Sequence, residues 1–292
     1  MRTNLLLTAI LSIFIASAGF AQKEPMPDST GLPGDHFSLE GALELFKKAT
    51  SPEDFEKLLN DSNSKVNNLD LNEDGEVDYI RVVDNTQGDV HALVLQVPVN
   101  ENESQDVAVI EVEKTGAEEA MLQIIGNEEV YGEQVIVEPF EEEKTKGNGG
   151  KNGPAFDGQK IRIVVNVWVW PSVRFVYGPA YRPWVSPWRW RVYPVYWRPW
   201  RPHPWAAFRA WSSPFRPRYH VVTTHRVVRA HAVYTPHRRT SKTVHTRTTT
   251  VVAHKGKHGT TVKQKTTTSG PRGTKTTTKA VHKGKNGNVT AG

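Results

Sequence analysis

Cysteine is absent from all 292 residues. That absence excludes disulfides, thiolate metal sites and a lipid-modified cysteine near the N-terminus. Acid is almost missing from the second half. Residues 1–150 carry 10 Lys+Arg and 30 Asp+Glu, a net charge of −20, whereas residues 151–292 carry 27 basic side chains and 1 acidic one, a net charge of +26. The overall charge of +6 therefore hides two opposite halves. Such a split describes an acidic folded part joined to a basic segment that seeks an anionic partner, or two parts that neutralise each other.

Long apolar runs are lacking too. The run from Leu5 to Ile15 is shorter than the ~20 residues a membrane span needs. With Arg2 before it and small residues leading to Ala21 and Gln22, it reads as a secretory signal peptide over 1–21, which predicts export to the periplasm, the outer surface or the extracellular space. Catalytic signatures are also missing: there is no G-x-S-x-G, no H-E-x-x-H and no phosphate-cradling glycine loop. The many carboxylates suit an acidic surface, and the expectation is a protein that is not an enzyme.

Residues 22–37 are rich in Pro, Gly and polar groups and read as a flexible leader. Order is expected from Ser38, a helix cap for the spaced apolar positions Leu39, Ala42, Leu43 and Phe46. A second helix starts at Ser51, with Pro52 at its first position and Phe55, Leu58 and Leu59 behind. Short β-branched runs follow at Tyr79 to Asp84, Val90 to Val99, Asp106 to Glu113, Glu119 to Ile125 and Gln134 to Val137. Their short links predict an antiparallel meander, so 38–139 is read as an acidic α+β domain of two short helices packed on a small sheet.

Residues 140–160 read as a linker. Residues 161–217 are a Trp/Pro/Arg-rich segment: a strand candidate from Ile161 to Trp170, then ten prolines from Pro171 to Pro217 that argue against helices and central strands. All nine tryptophans lie between Trp168 and Trp211. Residues 218–292, basic and rich in Thr, Lys and His, are expected to be largely disordered, because few core residues are present to offset chain entropy. Within them Thr246 to Gly259 matches Thr274 to Gly287 at nine of fourteen positions. The nine histidines after residue 200 are scattered among cations and read as a weak metal signal.

The stretch D-L-N-E-D-G-E-V-D from Asp70 to Asp78 is the most specific motif. Oxygen side chains alternate at Asp70, Asn72 and Asp74, Gly75 supplies a turn, and Asp78 follows, which is how a loop collects hard ligands for calcium. It resembles the first nine positions of an EF-hand loop but has Arg81 where a bidentate Glu belongs. It resembles more closely the short calcium loops of integrin-type propeller repeats. That resemblance implies a structural calcium ion held by Asp70, Asn72, Asp74, the Glu76 carbonyl and Asp78. The bland alternative is an acidic turn, which Asn-Glu-Asp-Gly forms unaided.

The acidic segment, the alanine-glutamine cleavage point and the stretch around Pro187-Trp188-Arg189-Trp190 together resemble uncharacterised exported proteins of Gram-negative bacteria of the Bacteroidota type. The resemblance implies an envelope location. Interleaved arginines and rings at Arg182, Trp184, Trp188, Arg189, Trp190, Arg191, Trp197, Arg198, Trp200 and Arg201 suit an anionic polymer, with guanidinium groups on phosphate or carboxylate and rings stacking on sugars or bases. The expected partner is lipopolysaccharide, peptidoglycan or extracellular nucleic acid, with a membrane surface as a further option. The alternative is a structural, self-assembling protein whose basic tail pairs with its own acidic domain.

Overall fold

The computed structural model describes residues 29–144, 160–244, 246–256, 259–270, 273–284 and 289–291. The signal segment 1–21, the leader up to 28 and the linker residues 145–159 lie outside the described residues. Order begins before Ser38: Leu32 and Phe37 are buried, and Phe37 bridges Asn67. These apolar side chains bind to the fold the end of a leader expected to be free.

The Ser38 side chain accepts the Gly41 N–H and starts α1 (Leu39–Lys48), and Ser51 accepts the Asp54 N–H and starts α2 (Pro52–Leu59). Each cap satisfies an N–H that the helix itself leaves unpaired. Five strands then run as an antiparallel meander: β1 (Arg81–Gln87), β2 (Val90–Pro98), β3 (Ser104–Gly116), β4 (Glu119–Gly126) and β5 (Val135–Lys144). A single turn, α3 (Glu128–Tyr131), sits between the last two. The class is α+β. Because side chains alternate along a strand, the sheet has two distinct faces. One buries Val82, Leu93, Ile110, Leu122 and Ile124 with Leu43, Phe46 and Phe55 of the helix pair. The other buries only a small cluster of Ala92, Val94, Val109, Ile125, Ile136 and Tyr234. Its alternate positions are polar: Glu111, Glu113, Gln123 and Glu138, all buried.

The second half of the chain completes this sheet. After β6 (Lys160–Val164), which pairs with the far end of β5, the expected strand to Trp170 stops short. Asn166 accepts the Trp168 N–H and turns the chain into a short 3₁₀ segment. Helix α4 (Pro171–Val176) follows, with a proline at its first position, and α5 (Trp205–Ser212) begins directly after Pro204. The prolines did not forbid these helices, because a proline in the first turn gives up an N–H that has no helical partner. Between α4 and α5, residues 177–204 form an irregular strap over the domain.

The boundary expected at 218 is corrected. β7 (Tyr219–Val222) pairs with Ile136–Pro139 of β5 as the seventh strand, and α6 (Val228–Tyr234) lies on the polar sheet face. Val227, Ala230, Tyr234 and Val244 are buried. Residues 219–244 escape disorder because a complementary acidic surface of the same chain receives them. Further on, β8 (Thr246–Gly256), β9 (Gly259–Gly270), β10 (Gly273–Gly284) and β11 (Val289–Ala291) pair among themselves. The two repeat copies flank β9 in one register: Thr246 and Thr274 both pair with Ser269, and His254 and His282 both pair with Thr261. Among the described residues no helix is long and apolar enough to cross a membrane.

Candidate functional site

The acidic loop between α2 and β1 is wound by its own side chains. Asp70 accepts the N–H groups of Asp74 (3.0 Å) and Gly75 (2.9 Å), Asn72 accepts Asp74 N–H (3.0 Å), and Asp74 accepts Glu76 N–H (2.9 Å). Glu73 (φ 56°) and Gly75 (φ 90°) take left-handed conformations, and glycine does so without steric cost. Asp78 is buried and accepts Leu71 N–H at 2.6 Å. Burial, then the charges of Asp70 and Asp74, push its pKa up to about 8. Asp70 is also raised, by burial and by Asp74. All these donors are hard oxygens that retain lone pairs after the loop bonds are made, and a cation among them would offset the crowding of charge. The chemistry of the set fits calcium. Within the set Asp74 is exposed and Asp78 buried. Arg81 points elsewhere, donating to Gln96 and to the Trp188 carbonyl.

Loop and strap are joined. The Val77 N–H donates to the Trp200 carbonyl at 2.7 Å, and Asn68 exchanges two hydrogen bonds with the backbone of His203 (2.8 and 3.0 Å). A cleft of about 300 Å³ lies alongside, lined by His36, Asn68, Asp70, Glu73 and Pro202.

The strap itself hangs on Glu56 of α2, a residue sequence reasoning passed over as one more surface acid. Its buried carboxylate accepts from Tyr79 Oη (2.8 Å), Ser186 Oγ (2.8 Å), Val82 N (2.8 Å) and Trp184 Nε1 (3.2 Å). Burial pushes its pKa upward against those four donors. Asp84 does the same for Tyr181, whose hydroxyl donates to it at 2.7 Å, while His91 Nδ1 lies 2.8 Å from the same oxygen. The proposed polyanion residues therefore divide. Trp184 is half-buried and engaged with Glu56, while Trp197 is buried edge-on against Tyr79 (5.2 Å) and Tyr193 (4.5 Å) and its ring is not open to a ligand. Trp188, Trp190 and Trp200 are half-buried, and Arg182, Arg189, Arg191, Arg198 and Arg201 are exposed. Among the described residues none of these five arginines forms an ion pair with a carboxylate. Of these arginines Arg198 lines a groove of about 380 Å³, together with Lys57, Asn60, Asp61, Tyr196 and Trp200.

Four arginines after residue 217 behave differently. Arg218 pairs with Glu44 (3.0 Å), Arg226 with Glu138 (3.2 Å), Arg229 with Glu113 (2.8 Å) and Arg238 with Glu128 (3.1 Å), while His225 and His231 each lie 2.7 Å from Glu111. Asp106 accepts from Tyr234 Oη (3.1 Å) and Arg239 N (2.8 Å). Within this second set, His225, Arg226, Arg229, His231 and Tyr234 cover the acidic sheet face. No protein family, curated protein or solved structure matches the chain.

Proposed function

We propose that this protein is an exported, non-enzymatic component of the cell envelope that binds anionic surface polymers through the strap 182–201. The observation that carries the reading is the contrast between two sets of arginines. Arg218, Arg226, Arg229 and Arg238 are paired with the chain's own carboxylates, whereas among the described residues Arg182, Arg189, Arg191, Arg198 and Arg201 face solvent without one. Exposed cations held on a fixed scaffold meet an anionic polymer at a smaller entropic cost than cations on a free tail. The groove adds Lys57 and the rings of Tyr196 and Trp200, a set suited to a charged saccharide or a stacked base. Calcium held by Asp70, Asn72, Asp74, the Glu76 carbonyl and Asp78 would supply charge neutralisation in the loop and, through the Val77–Trp200 bond, steady the strap. An envelope location is in keeping with the resemblance to Bacteroidota-type exported proteins.

The test is binding of the full chain to lipopolysaccharide, peptidoglycan and DNA between roughly 50 and 500 mM salt, a range over which the screening length falls from ~14 to ~4 Å. Affinity should fall steeply with salt, because each neutralised polymer charge releases condensed counterions. Replacing Arg189, Arg191 and Arg198 with alanine should flatten the slope. Replacing Trp188, Trp190 and Trp200 should weaken binding and leave the slope nearly unchanged. Salt-independent binding, or none to any of the three polymers, overturns the reading.

A second reading, self-assembly through the basic half, draws on the ion pairs of residues 218–238 with the acidic domain. It requires those contacts to be exchanged between copies, which would show as concentration-dependent oligomers that dissolve in high salt.

A further inference from the structure

The acidic sheet face holds a second cluster, remote in sequence from the loop 70–78 and independent of the polymer-binding reading. Glu111 projects from the middle of β3, with its side chain fully buried. His225 comes from the turn after β7 and His231 from α6. His225 Nε2 lies 2.7 Å from Glu111 Oε2, and His231 Nδ1 lies 2.7 Å from Oε1. The rings stand edge to face with centroids 4.7 Å apart, and one ligand atom from each of the three residues lies within 4.8 Å of the others. The geometry points to a divalent transition-metal site, of the zinc class, built from Glu111, His225 and His231.

Three features support a site over a chance meeting of side chains. The ligands come from three separate elements, a sheet, a turn and a helix, so the fold itself gathers them. The carboxylate is inaccessible, while the His225 and His231 side chains are 19% and 33% exposed. An ion could therefore reach the cluster from the imidazole side and keep a water as its fourth ligand, as zinc sites with three protein ligands do. The cations that flank these histidines in the sequence do not repel an ion here, because Arg226 is neutralised by Glu138 and Arg229 by Glu113. Two imidazole nitrogens with one carboxylate oxygen select a borderline ion such as Zn²⁺ or Co²⁺ over calcium, which takes oxygen ligands.

With metal–ligand distances of about 2.0 to 2.1 Å in a tetrahedron, ligand atoms stand about 3.3 Å apart. The imidazole nitrogens, now 2.7 Å from the Glu111 oxygens, would draw back from them, and all three ligand atoms already lie within 4.8 Å of one another. Each ring would give up the proton it shares with the carboxylate on taking the ion. The ion would then tie the covering segment 225–231 to the sheet.

The experiment uses the full chain after treatment with chelator, titrated with Zn²⁺ by calorimetry and with Co²⁺ by visible absorption. Expected are one tight zinc equivalent and a tetrahedral cobalt spectrum. His225→Gln and His231→Gln should each weaken zinc by at least about tenfold, the scale of losing one ligand or its support. Asp74→Asn in the acidic loop and the pair His254→Gln and His258→Gln in the repeat should leave that affinity unchanged. Should either cluster variant fail to fold, zinc must shield His225 and His231 of the unmutated chain from diethyl pyrocarbonate, read by mass spectrometry. No zinc uptake, uptake indifferent to the two cluster variants, or absence of shielding overturns the site and leaves a hydrogen-bonded charge cluster.

Discussion

Glu113 of β3 holds Arg229 of α6 by backbone and side chain together: Oε1 accepts the Arg229 N–H at 2.8 Å and Oε2 accepts Nε at 2.8 Å. Oε1 also accepts the Ala230 N–H at 3.2 Å. Val227, at the N-cap, offers no side-chain oxygen, so a carboxylate from the sheet caps the helix in its place. Glu113→Ala should cost about 2 to 4 kcal/mol, because it strands two N–H groups at a covered helix start. Arg229→Ala should cost less than about 1 kcal/mol, since that guanidinium is largely solvated and the two backbone bonds survive. Chemical denaturation of both variants checks the order, and equal losses would mean that the ion pair dominates.

Calcium should raise the melting temperature of the full chain above its value in chelator, and Asp74→Ala should erase the difference. Because Val77 is bonded to Trp200, tryptophan fluorescence should shift in the same titration. Identical melting with and without calcium would reduce the stretch from Asp70 to Asp78 to an acidic turn.

Limited trypsin digestion should leave a fragment that ends near 244. Arg226 and Arg229 lie in backbone bonded to Gln123 and Glu113, which slows cleavage there. A fragment ending near 218 would show that the cover over the sheet opens readily.

Stability should depend on pH through Glu56. Its folded pKa lies above the ordinary value of 4.5, chiefly because of burial. For a carboxyl shifted that way, the stabilising contribution is complete below the unfolded value and is lost as pH rises through the folded one. The melting temperature of the unmutated chain minus that of Glu56→Gln should therefore rise as pH falls from 7 toward 4.5. A difference that falls instead would mean that the four donors hold the carboxylate ionised.

Much of the frame was legible along the chain. The caps at Ser38 and Ser51 and the period-two runs after Asp78 carry local signals, and helices and meander follow from them. The polar sheet face was also written there, in the alternation of Val109, Glu111 and Glu113, but its meaning depended on what would cover it. His225 and His231 lie 114 and 120 residues from Glu111, and no spacing rule spans that distance. In the strap, composition raised the expectation that the arginines and rings form a binding surface. It did not separate Trp184 and Trp197, which the fold consumes, from Trp188, Trp190 and Trp200, because an irregular proline-rich segment has no periodicity to tell inside from outside.

The polar face of the sheet also has a consequence in time. Asp106 and Glu138 have partners on the sheet itself in Gln96 and Gln123, but Glu111 and Glu113 are met by residues 225–231, so that face is closed by a segment that follows the strap along the chain. Contacts so distant along the chain form late and slowly. Until then the sheet carries a layer of mutually repelling charge that works against premature collapse, and the finished cover acts as a latch. The segment that shuts the face lies 114 to 120 residues beyond the carboxylate it covers.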